Sequence, residues 1–120
     1  MPMFYGEIIM SALIERLENM LASGQDNLLL RFGLGKAYAQ SEQWDLARQH
    51  LLVAVEQDAL HSSSWFWLGR VQYEAGLSDQ ARSSLERAVQ VAEQKGDQQT
   101  IKMAQVFLRR LDKQNTSENE

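Results

Sequence analysis

The feature that most constrains this chain is a repeat. Leu34-Gly35 recurs as Leu68-Gly69, a shift of 34 residues. At the same shift Asp45 falls on Asp79, Ala47-Arg48 on Ala81-Arg82, Leu51 on Leu85 and Ala54-Val55 on Ala88-Val89. Self-similarity at a fixed period of this length marks units that stack, each too small to bury its own apolar face. Within a unit the apolar residues keep helical spacing. Ala47, Leu51 and Ala54 share one face, and Ala81, Leu85 and Ala88 repeat that small–large–small stripe. The glycine after Leu34 and Leu68 lets a second helix approach closely, so each unit is predicted to be a tight antiparallel hairpin.

The predicted helices cover residues 28–40 and 44–57 in the first unit, and 63–75 and 78–95 in the second. The linkers Ser41-Glu42-Gln43 and Gly76-Leu77 have the length such hairpins use. Asp26 or Asn27, and the run Ser62-Ser63-Ser64, are the candidate N-caps of the first helices. Composition agrees with an all-helical chain: one proline and seven glycines in 120 residues leave few breaks, and 44% hydrophobic residues suffice for a core. With no cysteine, disulfides, thiolate metal sites and thiol catalysis are excluded. A net charge of −4 argues against non-specific nucleic-acid binding, which needs a basic face.

At this point the two units resemble tetratricopeptide repeats. In the first, Leu34, Gly35, Tyr38, Ala47, Leu51 and Ala54 fit that family's pattern; in the second, Trp65, Leu68, Gly69, Ala81, Leu85 and Ala88 do. Arg31 stands where the pattern has an aromatic residue and Gln72 where it has a tyrosine, with Tyr73 one step later. The resemblance implies a right-handed α-solenoid of about six helices in a single domain over residues 10–112, with repeats at 28–61 and 62–95. Residues 11–22 read as an N-terminal capping helix, because Leu13, Leu17 and Met20 precede Ala47, Leu51 and Ala54 by 34. Residues 98–112, with Ile101, Ala104, Leu108 and Leu111 in a stripe, read as a C-terminal capping helix behind the stop Lys95-Gly96-Asp97. Residues 1–9 are expected to be an extension outside the fold, and 113–120 a disordered tail. The opening carries no basic run before its apolar residues and Glu7 interrupts them, so no secretory signal or membrane span is expected and the cytoplasm is the expected compartment.

Catalytic constellations are lacking. His50 and His61 are eleven residues apart with no acidic residues at metal spacing, and both read as surface histidines, His50 facing outward. Gly33-Leu34-Gly35-Lys36 lies inside a helix, where its N–H groups are consumed, so it is no phosphate loop. No enzyme activity, cofactor or metal is expected. Lys102, Arg109, Arg110 and Lys113 form the strongest charge cluster, which either complements the last helix's C-terminus or meets an acidic partner.

The family resemblance implies a concave groove lined by the first helix of each unit, binding a peptide or helix of a partner protein. It places Leu29, Phe32, Lys36 and Gln40 on that surface, with Ser63, Phe66, Arg70 and Tyr73 or Glu74. Phe32 and Phe66, and Lys36 and Arg70, are equivalent pairs. An aromatic ring one turn before a cation, repeated along a groove, suits an acidic or C-terminal segment with apolar side chains. Some members of the family hold chaperone C-termini in a carboxylate clamp, but Phe32, Lys36 and Trp67 occupy its first three positions here. Trp67 lies about 200° around the helix from Trp65 and is expected to be either a groove-rim anchor or a contact between copies. The expected function is a non-catalytic adaptor; the rival reading is a self-associating assembly subunit.

Overall fold

The computed structural model describes Pro2–Asn119, with side chains from Tyr5 to Thr116. Six helices follow one another: α1 (Pro2–Ala22), α2 (Leu28–Gln40), α3 (Trp44–Gln57), α4 (Ser62–Glu74), α5 (Ser78–Lys95) and α6 (Gln98–Asn119), with no strand among the described residues. Each helix packs on the next, and α2, α4 and α6 also touch one another in series, whereas α1, α3 and α5 do not. The even helices therefore form the inner row of a curved stack, an all-α solenoid of hairpins measuring 47 × 37 × 22 Å.

Side-chain size dictates the crossings. A Cβ placed on Gly69 would lie 2.6 Å from Cγ of Leu85 and 3.2 Å from its backbone nitrogen. Leu51 fills the same space against Gly35 in the first hairpin. Leu34, Leu51, Leu68 and Leu85 are fully buried with Ala47, Ala54, Ala81 and Ala88 around them, so the two stripes seen in the sequence are the two cores. The first core gathers Leu30, Leu34, Leu51 and Leu68; the second gathers Phe66, Leu85, Ala104, Phe107 and Leu111.

Several local features depart from the sequence expectations. The first helix runs back to Pro2, across the expected boundary at residues 9–10; proline suits a first helical position, and the lone Gly6 is tolerated within the helix. Met1 lies outside the described residues. The last helix continues through Asn119 beyond the expected end at Asp112, because no glycine or proline interrupts it and Thr116 Oγ1 bonds back to the Asp112 carbonyl at 3.0 Å. Glu120 lies outside the described residues. Asn27 caps α2, accepting from the Leu30 N–H at 3.0 Å, while Asp26 takes Arg31 and Gln57 instead. The serine run is not the cap of α4. His61 holds that position, and Ser62 already lies within the helix, its hydroxyl donating to Asp97 at 2.8 Å.

The histidines also need correction. His50 is buried, not outward-facing, because it stands three residues after Ala47 and four before Ala54 and so shares their face. Arg31 Nη1 lies 3.0 Å from its Nδ1, which must accept, so the neutral ring carries its proton on Nε2. His50 stacks on Tyr38 at 5.6 Å, and Tyr38 donates to Glu18 of α1 at 3.0 Å. His61 is half-buried, edge-on to Phe32 with centroids 5.0 Å apart.

Candidate functional site

The inner row brings part of the expected groove together. Lys36 on α2 places its ammonium 5.6 Å from the centroid of Trp67 on α4, and the Arg70 guanidinium lies 5.0 Å from the same ring. Trp67 is thus held at the junction of the two repeats by both cations, a geometry worth roughly 0.5–2 kcal/mol per pair. The series continues onto α6. Arg70 also lies 5.6 Å from the Phe107 ring, which has Tyr73 at 5.3 Å, Phe66 at 5.9 Å and the Arg110 guanidinium at 4.7 Å. Lys36, Trp67, Arg70, Phe107 and Arg110 form a ladder of alternating cations and rings across three helices.

No carboxylate of the described residues balances these cations. Among the described residues none of Lys36, Arg70 and Arg110 takes part in an ion pair, whereas Arg31, Arg48 and Arg82 each do. Nε of Arg70 is buried and has no hydrogen-bond partner. A guanidinium N–H left unpaired in a part-buried place costs free energy until an acceptor reaches it. The face is therefore electropositive although the chain carries a net charge of −4.

Of the other residues assigned to the groove, Phe66 and Phe32 serve packing. Phe66 is 2% exposed and belongs to the second core, edge-on to Trp67 and Phe107, so it offers no surface to a partner. Its neighbour Trp67 takes the inner position instead, since adjacent helical residues point about 100° apart. Phe32 is half-buried against the first core and His61. Leu29, Gln40 and Glu74 are exposed and Ser63 is half-buried. Gln40 lines a cleft of about 660 Å³ with Gly6, Glu7 and Met10 of α1.

Phe107 and Arg110 join the ladder without having been expected on the groove. Their signal is the spacing: Trp67 and Arg70 stand three residues apart, and so do Phe107 and Arg110. Among the described residues no group of three or more His, Asp or Glu side chains could hold a metal ion, and no helix is long and apolar enough to cross a membrane.

The sequence profile of the tetratricopeptide repeat family matches residues 32–98, more than half of the chain. The chain belongs to the tetratricopeptide repeat family. It is similar to a TPR repeat-containing protein of Pseudomonas aeruginosa, 45% identical over 104 residues, covering 87% of this chain and 99% of that one. The solution structure of a Bordetella parapertussis protein, BPP2914, superposes with a TM-score of 0.78 at 47% identity, over 89% of this chain and 93% of the other. The fold is shared more widely. The first TPR of Spaghetti (RPAP3), bound to an HSP90 peptide SRMEEVD, superposes with a TM-score of 0.79 at 13% identity, over 96% and 86% of the two chains. A tetratricopeptide stack is a protein–protein interaction module, which is the coarse function of this chain.

Proposed function

We propose that the inner face of α2, α4 and α6 binds an extended acidic segment of a partner protein and that the chain acts as a non-catalytic adaptor. The observation that carries this reading is the ladder: three cations without carboxylate partners, each over an aromatic ring, on one face. Lys36, Arg70 and Arg110 receive the partner's carboxylates, and Trp67, Tyr73 and Phe107 receive its apolar side chains. Rings hold the cations in place before binding, which lowers the ordering cost of the complex. The HSP90 peptide on the similarly folded RPAP3 domain, SRMEEVD, is itself acidic. Because Phe32, Lys36 and Trp67 replace the first residues of the chaperone clamp, the segment bound here is of a different kind, with more apolar character beside its carboxylates.

Anisotropy of labelled C-terminal peptides bearing two carboxylate side chains beside an apolar residue tests this. Lys36→Glu/Arg70→Glu is expected to weaken binding at least about tenfold, as charge-assisted hydrogen bonds contribute roughly 1.5–3 kcal/mol. Raised salt weakens the wild-type complex through screening of the same charges. Intact affinity in that variant, with loss in Lys102→Glu/Arg109→Glu, would move the site to the outer face of α6.

A further inference from the structure

We propose that the first half of α1 is a dimer interface, through which two copies of this chain pair with their α1 helices antiparallel. Helix α1 is apolar on two sides. Ile14, Leu17, Met20 and Leu21 pack on the first core, but Tyr5 (67% exposed), Ile8 (63%), Ile9 (67%) and Leu13 (43%) stand open to solvent. With Ala12 these residues fall within one arc of about 140°, which the exposed Arg16 closes at its C-terminal end. A contiguous apolar face of this kind marks an interaction surface rather than scattered exposed residues.

The repeat shows what kind of group covers it. Leu13 precedes Ala47 by 34 residues and Ala81 by 68. Both alanines are 0% exposed because the other helix of their own hairpin lies on them. Among the described residues helix α1 has no such partner, since α2 is the one helix packed on it. The missing element is therefore a helix. It is bulkier-faced than a repeat's own first helix, as Leu13 leaves no room for the tight glycine crossing that Ala47 and Ala81 permit.

Charge and apolar surface together select the occupant. The exposed charges of α1 are Glu7 and Glu15 against Arg16, a net negative surface and the wrong sign for an anionic membrane. The opposite end of the stack, α6, presents exposed Lys102, Arg109 and Lys113, which would meet the glutamates of α1, but among the described residues Val106 is its one exposed large apolar side chain, too little to cover an apolar face. Head-to-tail stacking into filaments is thus disfavoured, and assembly closes at two. The apolar helix of this chain that matches the open face is α1 itself. Paired antiparallel about Ile9 and Ala12, two α1 helices set Tyr5 of each copy against Arg16 of the other, a cation–π contact. The same pairing holds the two Arg16 charges about 16 Å apart along the axis, whereas a parallel pairing would abut them. About 18 Å of helix is shared, so the dimer is reversible and fills as concentration rises.

Sedimentation velocity from micromolar to millimolar protein is expected to show the mass moving from 13.7 kDa towards twice that value and no further. Ile9→Glu/Leu13→Glu should stay at the monomer mass with an unchanged far-ultraviolet circular dichroism spectrum, and Lys102→Glu/Arg109→Glu should dimerise as wild type. The absence of cysteine allows a second test that does not depend on those variants. Tyr5→Cys/Arg16→Cys should oxidise to a linked dimer, while either substitution alone should not. A wild type monomeric at every concentration, a mass growing past the dimer, a dimer that survives the glutamates in a folded variant, or equal linking by a single cysteine would each overturn the proposal.

Discussion

Glu18 Oε1 lies 3.2 Å from Nε2 of His50, joining α1 to α3, two helices that do not otherwise pack on each other. The contact places a titratable ring at the joint between the capping helix and the first repeat. Burial holds His50 below its usual 6.5; Glu18 pulls upward, and Arg31 adds to the lowering. His61 is lowered as well, again chiefly by burial.

Both histidines bind a proton less readily folded than unfolded, so the unfolded chain takes up more protons just below pH 6.5 and stability falls with acidification there. The loss begins as pH drops through 6.5 and is complete once it passes the lowered folded values. Urea melts at pH 8 and pH 5 should show this decrease, and His50→Gln should reduce the slope while leaving the part due to His61. A second acid limb comes from Asp26, held at about 2 by hydrogen bonds from Arg31 and Gln57. Its contribution is present above about pH 4 and disappears as pH falls towards 2.

The glycines of α2 and α4 should respond in opposite ways. At Gly69 and its equivalent Gly35 a side chain has no room, and Gly69→Leu is expected to cost roughly 1–3 kcal/mol through overpacking against Leu85. Gly33 is also helical, yet a Cβ there would sit 3.8 Å from Cδ1 of Leu17, an ordinary contact. Gly33→Ala should therefore gain up to about 1 kcal/mol of helix propensity. Paired thermal melts check both, and a neutral Gly69→Leu would deny the close crossing.

Glu42 adopts a φ of 58°, the left-handed region, in the turn between α2 and α3. Its equivalent 34 residues on is Gly76, with a φ of 80°. A side chain in that region costs about 1–2 kcal/mol, partly offset by the greater freedom of unfolded glycine. Glu42→Gly should accordingly raise Tm by about 1–4 °C. An unchanged or lowered Tm would show that Glu42 makes up its strain elsewhere.

Helix α6 completes the second core with Ala104, Phe107 and Leu111, while Ile101 and Leu108 are only half-buried. Burying Phe107 and Leu111 contributes roughly 1.5–3 kcal/mol each before entropy is subtracted. Truncation after Gly96 should thus uncover Phe66 and Leu85 and cause aggregation or unfolding. Truncation after Lys113 leaves Phe107 and Leu111 in place, and among the described side chains it removes only the exposed Gln114, Asn115 and Thr116, so the melt should stay within about 1 °C of wild type. Equal melts for the two would make α6 an appended surface helix.

The hairpins were legible because their crossings depend on residue size alone: a glycine facing a leucine between alanines is visible as a pattern. Buried polar pairs were not. Gln72 stands where the repeat has a tyrosine, and its reason emerges only in three dimensions, where Ser84 donates to its Oε1 at 2.6 Å. His50 was misread because its polarity outweighed its position between Ala47 and Ala54. The third rung of the ladder escaped for a different reason. Helix α5 has 18 residues against 14 in α3, so the period changes after the second repeat. A shift of 34 from Arg70 lands on Ala104, which is buried, and never reaches Arg110.

That displaced rung gives the most selective test of the inner face. Arg109 and Arg110 are neighbours in sequence, with one charge each and both exposed, but only Arg110 lies over Phe107. If the basic end of α6 acted through the helix dipole or as a diffuse positive patch, reversing either would weaken an acidic peptide equally. If the ladder is the binding surface, Arg110→Glu should lose several-fold in affinity, and more in combination with Arg70→Glu, while Arg109→Glu stays within about twofold of wild type. Both single variants should melt near the wild-type temperature, because exposed charges contribute about 0–1 kcal/mol to folding. Equal losses for Arg109→Glu and Arg110→Glu would show that the peptide senses the charge of α6 and not the ordered rung on Phe107.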